Sequence, residues 1–314
     1  MRGLFQAKGG GDLKFSDFVQ HLVNAFSLGG IYALIAIGYT MVYGILRLIN
    51  FAHGDIFTYA IYFAFYGVTL FMLPWWVSFI TAIFFTAFLG ALIERIAYRP
   101  LRNAPRISAL ITAIGVSFFL QNFATVVFGG RAKSFNPQTG VYPAYFLRIL
   151  QLGNVRIRLL TLITLSVVAI SLLLLVWIVY RTKVGMAMRA ISKDIPTTRL
   201  MGVNADRIIS YTFMIGSFLA AVGGILWAMT YPQVYPYTGM VPGLKAFISA
   251  VVGGIGSIQG AMLGGFILGV SEIMIVALFP SIAGYRDAIA YAILIFVLLV
   301  RPTGLLGVEV SEKV

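Results

Sequence analysis

Long apolar segments separated by short polar ones run along almost the whole chain. Residues 22–46 and 56–93 contain no Asp, Glu, Lys, Arg or His. A helix needs about 20 apolar residues to cross the roughly 30 Å hydrocarbon core of a bilayer. The pattern predicts spanning helices over 22–46, 56–73, 75–93, 107–128, 159–180, 208–230 and 284–300.

Residues 244–280 are too many for one crossing at a rise of about 1.5 Å per residue. The glycines from Gly253 to Gly256 offer a break, so we expect two crossings there, or one crossing and a half-helix. The predicted fold class is an all-α polytopic integral membrane protein with about eight to ten transmembrane or partly spanning helices. One domain is expected over residues 1–314, beginning with a polar N-terminal tail at 1–20.

Basic residues in the loops predict the orientation of the chain, because Lys and Arg in short loops favour the cytoplasm. Loops 94–106 and 181–207 are two spans apart, so both lie on one side, and they hold 4 + 6 = 10 basic residues. The intervening loop 131–158 holds five. We therefore assign the first two loops to the cytoplasm. Arg301 then lies inside, and the N-terminus lies outside if 244–280 crosses twice.

Composition supports a membrane protein and argues against several other classes. Hydrophobic residues make up 60% of the chain and charged residues 11%, against about a quarter charged in soluble domains. The net charge of +13 is spread over loop clusters rather than one basic face, so no nucleic-acid partner is predicted. With no cysteine and two histidines, the chain is not expected to hold a metal centre.

Enzyme motifs are also missing from the sequence. There is no G-x-S-x-G elbow and no G-x-x-x-x-G-K-[ST] phosphate loop. We predict a non-catalytic chain with no cofactor of its own, so any ATP that drives it would be hydrolysed by another subunit. A membrane-embedded enzyme with His53 and Asp55 as a proton relay is the distant alternative.

The string INFAHGDIF at 49–57 places polar residues between two charge-free spans. One hypothesis is a translocation pathway, in which Asn50, His53, Gly54 and Asp55 belong to irregular backbone facing a water-filled path. The other is capping, with Asn50 ending the first span and Asp55 starting the second. Spacing alone favours capping.

The loop 181–207 carries Met188, Ile191 and Ile195 at helical spacing among charged neighbours. This pattern predicts a short amphipathic helix interrupted at Pro196. Its apolar face needs a partner, which is either the membrane interface or another protein.

Glycines and charges mark the last third of the chain. Gly256, Gly260 and Gly264 are spaced by four, which is typical of close helix packing, and a sliding or gating helix pair is compatible with it. Lys245 and Glu272 lie at membrane depth, either in a pathway or partner contact, or snorkelling near a helix end. Arg286 and Asp287 are interpreted as interfacial.

Five segments in order resemble one known family over nearly the whole chain. They are GGIYALIAIGYTMVYGILRLINFAHGD (29–55), IERIAYRPLR (93–102), RAISKDIPTTRLMGVNADRI (189–208), GLKAFISAVVGGIGSIQGAMLGGFILGVSE (243–272) and LLVRPTGLLG (298–307). Together they are similar to the LivH-type permease of bacterial branched-chain amino acid ABC importers, within the LivH/LivM permease family.

The resemblance implies a multi-pass subunit of the bacterial inner membrane that works with several partners. These are a second, LivM-type permease, two cytoplasmic ATPase subunits that bind ATP and Mg, and a periplasmic binding protein. The implied substrates are leucine, isoleucine and valine. Urea or short-chain amides are the alternative, because permeases of the same family with very similar strings carry them.

The resemblance also implies roles for two segments. INFAHGD is similar to a permease signature, which makes the pathway hypothesis for Asn50, His53, Gly54 and Asp55 about as strong as capping. The loop 181–207 looks like the coupling segment that seats in an ATPase cleft, with Met188, Ile191 and Ile195 as its docking face. The residues expected to carry the coupling are Met188, Arg189, Ile191, Asp194, Ile195 and Gly202.

Overall fold

A computed structural model describes residues 15–307, except residues 103, 153 and 154. The first fourteen residues of the predicted polar tail lie outside the described residues. The described residues form eleven α-helices: α1 (Phe15–Leu46), α2 (His53–Thr69), α3 (Trp75–Ile93), α4 (Arg106–Phe128), α5 (Leu159–Arg181), α6 (Lys183–Lys193), α7 (Ile195–Leu200), α8 (Ala205–Thr230), α9 (Met240–Gly253), α10 (Ile258–Leu278) and α11 (Arg286–Val300). They also form four short strands: β1 (Lys133–Ser134), β2 (Ile149–Leu152), β3 (Val155–Arg158) and β4 (Gln233–Val234).

Seven helical segments in the described part of the chain are long and apolar enough to cross a membrane. Two further apolar helices are shorter: α2 has 17 residues and α9 has 14. At 1.5 Å per residue these reach roughly 25 Å and 21 Å, less than the hydrocarbon core. The predicted fold class, a polytopic all-α membrane protein with partly spanning helices, is confirmed.

The first span begins earlier than the sequence predicted. Helix α1 starts at Phe15, so residues 15–20 belong to a helix rather than to a polar tail. Phe15, Phe18 and Val19 are apolar and spaced to share one helical face, and the span is longer than predicted by about two turns.

The break inside 244–280 lies where the glycines predicted it. Helix α9 ends at Gly253, and α10 begins at Ile258 with the Ser257 hydroxyl accepting from Gly260 N. Gly254 and Gly256 between them have φ angles of +109° and +97°, a backbone region that favours glycine. Gly256 therefore belongs to a turn, and its prediction as a helix-packing residue beside Gly260 and Gly264 is wrong.

Ion pairs and strand pairs distinguish the two ends of the helix bundle. Asp206 at the start of α8 pairs with Arg99 and Arg102 from the segment after α3. We call this the basic end, formed by residues 94–102, 104–105 and 181–207; the two loops predicted to share one side do so. At the opposite end, β1 pairs with β4 and β2 pairs with β3, both antiparallel.

The segment between α4 and α5 is held by a hydrogen bond at the end of the bundle opposite the basic end. Tyr142 is buried and donates a hydrogen bond to the Met229 carbonyl near the end of α8 (3.3 Å). Burial raises the pKa of the Tyr142 phenol above its ordinary value. This contact ties the loop to the central helix α8.

The helix contacts reveal two related halves, α1–α4 and α8–α11. Helix α1 packs against α9 and α10, and α8 packs in the same way against α2 and α3. Helices α2 and α3 contact each other, as do α9 and α10, while α4 covers α2 and α11 covers α9. Helix α1 ends at the basic end, where Gly44 and Ile45 line a cavity with Met188, whereas α8 begins there. The halves are thus inverted with respect to each other, an arrangement common in transporters that the sequence had not revealed.

Helices α1 and α8 form the centre of the bundle, and α4 and α11 form its margin. Of the most apolar 18-residue window in each segment, 89% is buried for α1 and 72% for α8, against 17% for the α4 segment and 6% for Pro280–Val300. The marginal helices expose apolar side chains, as expected for surfaces that face lipid or another membrane subunit.

Glycine allows α1 and α10 to approach backbone to backbone. A Cβ at Gly265 would lie 2.5 Å from the Ala33 Cα, and Gly269 faces Gly29 equally closely. On the neighbouring side of α10, Gly260 lies against Gly253 and Gly264 against the Ser249 carbonyl of α9. Helix α10 is therefore enclosed by backbone on two sides, with no room for larger residues.

We expect Gly265→Ala to destabilise the protein, because the added methyl group forces α1 and α10 apart. Overpacking of this kind costs about 1–3 kcal/mol. The midpoint of thermal unfolding of the purified protein, followed by tryptophan fluorescence, measures the effect. Gly115→Ala in α4 is the matched control, since nothing lies within 4 Å of a Cβ there. Equal midpoints for the two variants would contradict the packing argument.

Candidate functional site

The segment around Asn50 turns back into the bundle instead of forming a loop at its end. Helix α1 ends at Leu46, and Arg47 takes a φ of +55°, which reverses the chain direction. Helix α2 then begins at His53, already inside the protein. Asn50, His53 and Asp55 are 2%, 1% and 3% exposed, so these three signature residues line no open path in this conformation.

The start of α2 meets the start of α9. A Cβ at Gly54 would lie 2.7 Å from the Gly239 carbonyl oxygen and 3.3 Å from the Gly243 Cα. The Thr58 hydroxyl accepts a hydrogen bond from Gly239 N (2.8 Å) and donates one to the Gly54 carbonyl (3.3 Å). We call this contact, formed by residues 53–58 and 239–243, the half-helix junction. It joins the N-terminal ends of two short helices inside the bundle.

Neither Asn50 nor Asp55 caps a helix, so the capping hypothesis is wrong. The residue before α2 is Ala52, which makes no side-chain cap, and Asp55 lies within the first turn. The Asp55 carboxylate instead accepts hydrogen bonds from Ser117 Oγ (2.5 Å) and Gln121 Nε2 (3.0 Å) of α4. Because α2 begins at His53, Asp55 lies inside the helix rather than before it. Its carboxylate therefore faces α4 instead of the helix end.

Asn50 and His53 contact the aromatic interior. The Asn50 side-chain oxygen accepts a hydrogen bond from the Tyr98 hydroxyl (2.7 Å). The His53 ring lies edge-on to Tyr39 with centroids 4.6 Å apart, and its Nε2 has no hydrogen-bond partner among the described residues. No hydrogen bond joins His53 to Asp55 within that part of the chain, which argues against the proton-relay alternative.

Lys245 and Glu272 form a buried ion pair, so the snorkelling interpretation is wrong. The Lys245 ammonium lies 2.6 Å from the Glu272 carboxylate and 2.7 Å from Asp287. Glu272 also accepts from the Arg286 guanidinium (2.7 Å) and from the Tyr32 hydroxyl of α1 (3.0 Å). We call these five residues the charge network. Its two cations and two anions neutralise each other, which reduces the cost of holding them at membrane depth.

Glu94 is a second buried carboxylate that sequence reasoning missed. It is paired with Arg102, and it accepts a hydrogen bond from Ser210 Oγ of α8 (2.5 Å). Glu94 follows α3 and contacts α8, just as Glu272 of α10 contacts α1. Each half of the molecule thus uses a carboxylate to bind the first helix of the other half.

Several other residues of the site were not predicted from the sequence. Tyr98, Ser117 and Gln121 hold the signature residues, yet each looks ordinary in an apolar helix. Arg286 and Asp287 were interpreted as interfacial, and both are partly exposed, but they complete the charge network. The available signal was the balance of opposite charges in neighbouring spans, which indicates pairing.

The predicted coupling segment is a pair of helices, α6 and α7, at the basic end. The helix break comes at Asp194 rather than at Pro196: the Asp194 carboxylate accepts from Thr197 N (3.1 Å), and Pro196 lies in the first turn of α7. Proline is well tolerated there because a first-turn N–H has no partner within the helix. Gly202 has a φ of +81° in the turn that leads to α8.

Met188 and Ile191 do not form an exposed docking face, contrary to the prediction. They are 5% and 1% exposed, because α6 lies with its apolar side against α1, α5 and α8. Ile195 is half-buried. The most exposed apolar residues of this segment are instead Leu200 and Met201, at 87% and 80%, followed by Met186 of α6 at 63%. Amphipathic spacing correctly indicated an apolar contact but not that the partner is the same chain.

Arg189 lies on the outer side of α6, its guanidinium 5.2 Å from the centre of the Tyr180 ring. Between α6 and the ends of α1, α8 and α10 there is a cavity of about 90 Å³, lined in part by Thr40, Gly44 and Gly256. A single water molecule needs about 10–15 Å³, so this cavity beside α6 is large enough for several.

Comparison with known proteins identifies the family. A family model described as "Branched-chain amino acid transport system / permease component" matches residues 21–298. The high-affinity branched-chain amino acid transport system permease protein LivH of Salmonella typhimurium is 41% identical over 96% of this chain and 99% of its own length, and LivH of Escherichia coli K12 gives the same values. The corresponding permease protein BraD of Pseudomonas aeruginosa is 42% identical over 95% of this chain and 98% of its own. The chain belongs to the family of branched-chain amino acid transport system permease components.

Proposed function

We propose that this chain is a permease subunit of an ATP-driven importer of leucine, isoleucine and valine in a bacterial inner membrane. Its partners are a second, LivM-type permease, two ATPase subunits that bind ATP and Mg on the cytoplasmic side, and a periplasmic binding protein. The observation that carries the proposal is the identity of about 41% to LivH over nearly the full length of both proteins. The same comparison favours branched-chain amino acids over urea or short-chain amides.

The half-helix junction is the part of this chain best suited to meet the substrate. A helix N-terminus carries partial positive charge and free N–H groups, which attract a carboxylate. Two such ends converge at Gly54 and Gly239. In this structure the two ends cover each other, and separation of α2 from α9 would expose both to an amino acid. Asn50 and Asp55 lie on the same segment, and either would meet the ammonium group after leaving its present partners, which are Tyr98 for Asn50 and Ser117 and Gln121 for Asp55.

The helix pair α6–α7 is suited to transmit ATPase motion. Leu200 and Met201 form its exposed apolar tip, which would dock in a cleft of an ATPase subunit. Next to the tip, Arg199 pairs with Asp206 (3.3 Å), and Asp206 also binds Arg99 and Arg102. A displacement of α7 is thereby passed to α8 and to the segment after α3, both of which contact the interior. In this proposal the basic end is cytoplasmic, in keeping with its positive charge.

Uptake of labelled leucine and labelled urea, measured in parallel, tests the substrate. Proteoliposomes should contain this chain with its neighbouring permease, ATPases and binding protein. We expect ATP-dependent leucine uptake and none of urea. Urea uptake alone would overturn the substrate while leaving the family intact, and flux without ATP would overturn the coupled mechanism.

We expect Met201→Asp to weaken binding of the ATPase subunits by about tenfold or more, because it places a charge in an apolar contact. Met72→Asp is the matched control, since Met72 is 82% exposed in a turn at the opposite end of the bundle. Pull-down of the ATPases from detergent-solubilised membranes measures the effect.

Met188→Asp is expected to behave differently, because it buries a charge within this chain and should lower the yield of folded permease. Equal ATPase recovery with Met201→Asp and with wild type would contradict the docking role of this tip.

We expect Glu272→Leu alone to destabilise the protein strongly, because it leaves Lys245 buried without its closest carboxylate. Breaking one member of a buried pair costs roughly 3–5 kcal/mol. The double variant Lys245→Met/Glu272→Leu should regain most of that loss, since Arg286 and Asp287 can still pair with each other. Thermal unfolding of the purified protein is the measurement.

Arg199→Met serves as the control for loss of an exposed pair, which contributes at most about 1 kcal/mol. A double variant as unstable as the single one would show that the loss does not come from leaving Lys245 without Glu272. A stable double variant with lost leucine uptake would assign the charge network a part in transport.

A further inference from the structure

An apolar groove opens between α5 and α8 at the basic end. Its volume is about 360 Å³, and its lining consists of Ile178, Thr182, Val184, Tyr211, Met214 and Ile215. The Thr182 hydroxyl is already occupied, since it donates to the Ile178 carbonyl (2.6 Å) and accepts from Gly185 N (3.1 Å). The groove therefore offers almost only hydrocarbon contact, with the Tyr211 hydroxyl as its main remaining polar group.

Three basic residues lie close along the chain to residues that line this groove. Arg207 precedes Tyr211 by four residues and Met214 by seven, so all three share one stripe of α8. Arg181 follows Ile178 by three residues at the end of α5, and Lys183 lies between Thr182 and Val184 in sequence. All three are exposed, and none is in an ion pair with another described residue.

The acidic residue closest in sequence to these cations is already engaged. Asp206 precedes Arg207, but its carboxylate is held by Arg99, Arg102 and Arg199. The groove thus combines an apolar cleft with three uncompensated positive charges at the end where α5 finishes and α8 begins. An apolar partner helix would satisfy the cleft and leave the charges unmet. A free phosphate would satisfy the charges and leave the cleft unfilled.

We propose that this groove binds an anionic phospholipid, with an acyl chain between α5 and α8 and the headgroup phosphate against Arg181, Lys183 and Arg207. Basic clusters at the ends of membrane helices bind anionic headgroups in this way. The site adjoins α6, because Thr182 and Val184 flank its first residue and Thr182 is its N-cap. A bound lipid would therefore contact the base of the helix pair α6–α7.

Retention of lipid by the purified transporter tests this site. The complex of this chain with its partner subunits is purified in detergent, and bound phosphatidylglycerol is counted by native mass spectrometry during titration. The test variant is Arg181→Gln/Lys183→Gln/Arg207→Gln. The control is Arg47→Gln/Arg95→Gln/Arg301→Gln, which removes three exposed basic residues outside the groove. Phosphatidylcholine replaces phosphatidylglycerol in a parallel titration.

We expect the groove variant to bind phosphatidylglycerol more weakly, by about fivefold for each basic residue removed. The control variant should bind like wild type, and phosphatidylcholine should not distinguish the variants. Wild-type retention by the groove variant, or an equal loss in both variants, would overturn the proposal.

Met214→Trp provides a second test that keeps all charges and fills the groove. It should lower lipid retention, whereas Leu173→Trp on the exposed face of α5 should not. Equal retention by these two variants would also overturn the site. Lipid binding does not depend on the substrate, so its failure is distinguishable from failure of the proposed transport function.

A further readout concerns coupling and rests on the proposed function. ATPase activity of the complex is compared in phosphatidylcholine vesicles with and without about one third phosphatidylglycerol. We expect the anionic lipid to change the activity of wild type and of the control variant, and the groove variant to respond at least fivefold less. An equal response of wild type, the control variant and the groove variant would show that lipid in the groove does not affect ATPase activity, and would overturn that part of the proposal.

Discussion

The whole arrangement depends on the need to satisfy backbone polar groups inside a membrane protein. A helix that begins at membrane depth leaves its first N–H groups without partners in the helix, and lipid cannot supply them. This protein has two such beginnings, at His53 and at Met240. It places them against each other, with glycine allowing close approach and Thr58 bonding to both segments. Helices α1 and α8 enclose this junction, and α4 and α11 complete the cover, so that no irregular backbone at the junction needs to face lipid.

Charged and polar side chains then fix the covering helices in position. Asp55 binds α4 through Ser117 and Gln121, while Lys245 binds α11 through Asp287. Glu94 and Glu272 each connect one half to the leading helix of the other half. Apolar packing alone gives little direction in a bilayer, because lipid chains are as apolar as leucine. These few polar contacts therefore specify which helices are neighbours.

Much of the fold follows from the sequence because hydrocarbon thickness and loop charge are strong constraints. Length and polarity predicted the long spans, the break at Gly253 to Gly256, and the common side of the two basic loops. They were wrong about 56–73, which was predicted to cross the membrane but forms the shorter helix α2. Contacts between distant residues were not accessible in this way. Asp55 has the spacing of a cap, yet its partners are 62 and 66 residues away in sequence. Met188 and Ile191 have the pattern of a docking face, but periodicity describes a face without naming what covers it. The role of the signature residues in translocation and the partners of α6–α7 remain proposals for the same reason.

The inversion that relates the two halves has a consequence for biogenesis. Turning the molecule over would present the bilayer with nearly the same set of long and short apolar helices, because each element of one half has an oppositely directed counterpart in the other. The packed interior therefore carries little information about which way the chain should insert. That information resides in the loops, where ten basic residues in 94–106 and 181–207 stand against five in 131–158. The orientation of the protein in the membrane is thus set by surface residues that contribute little to the core.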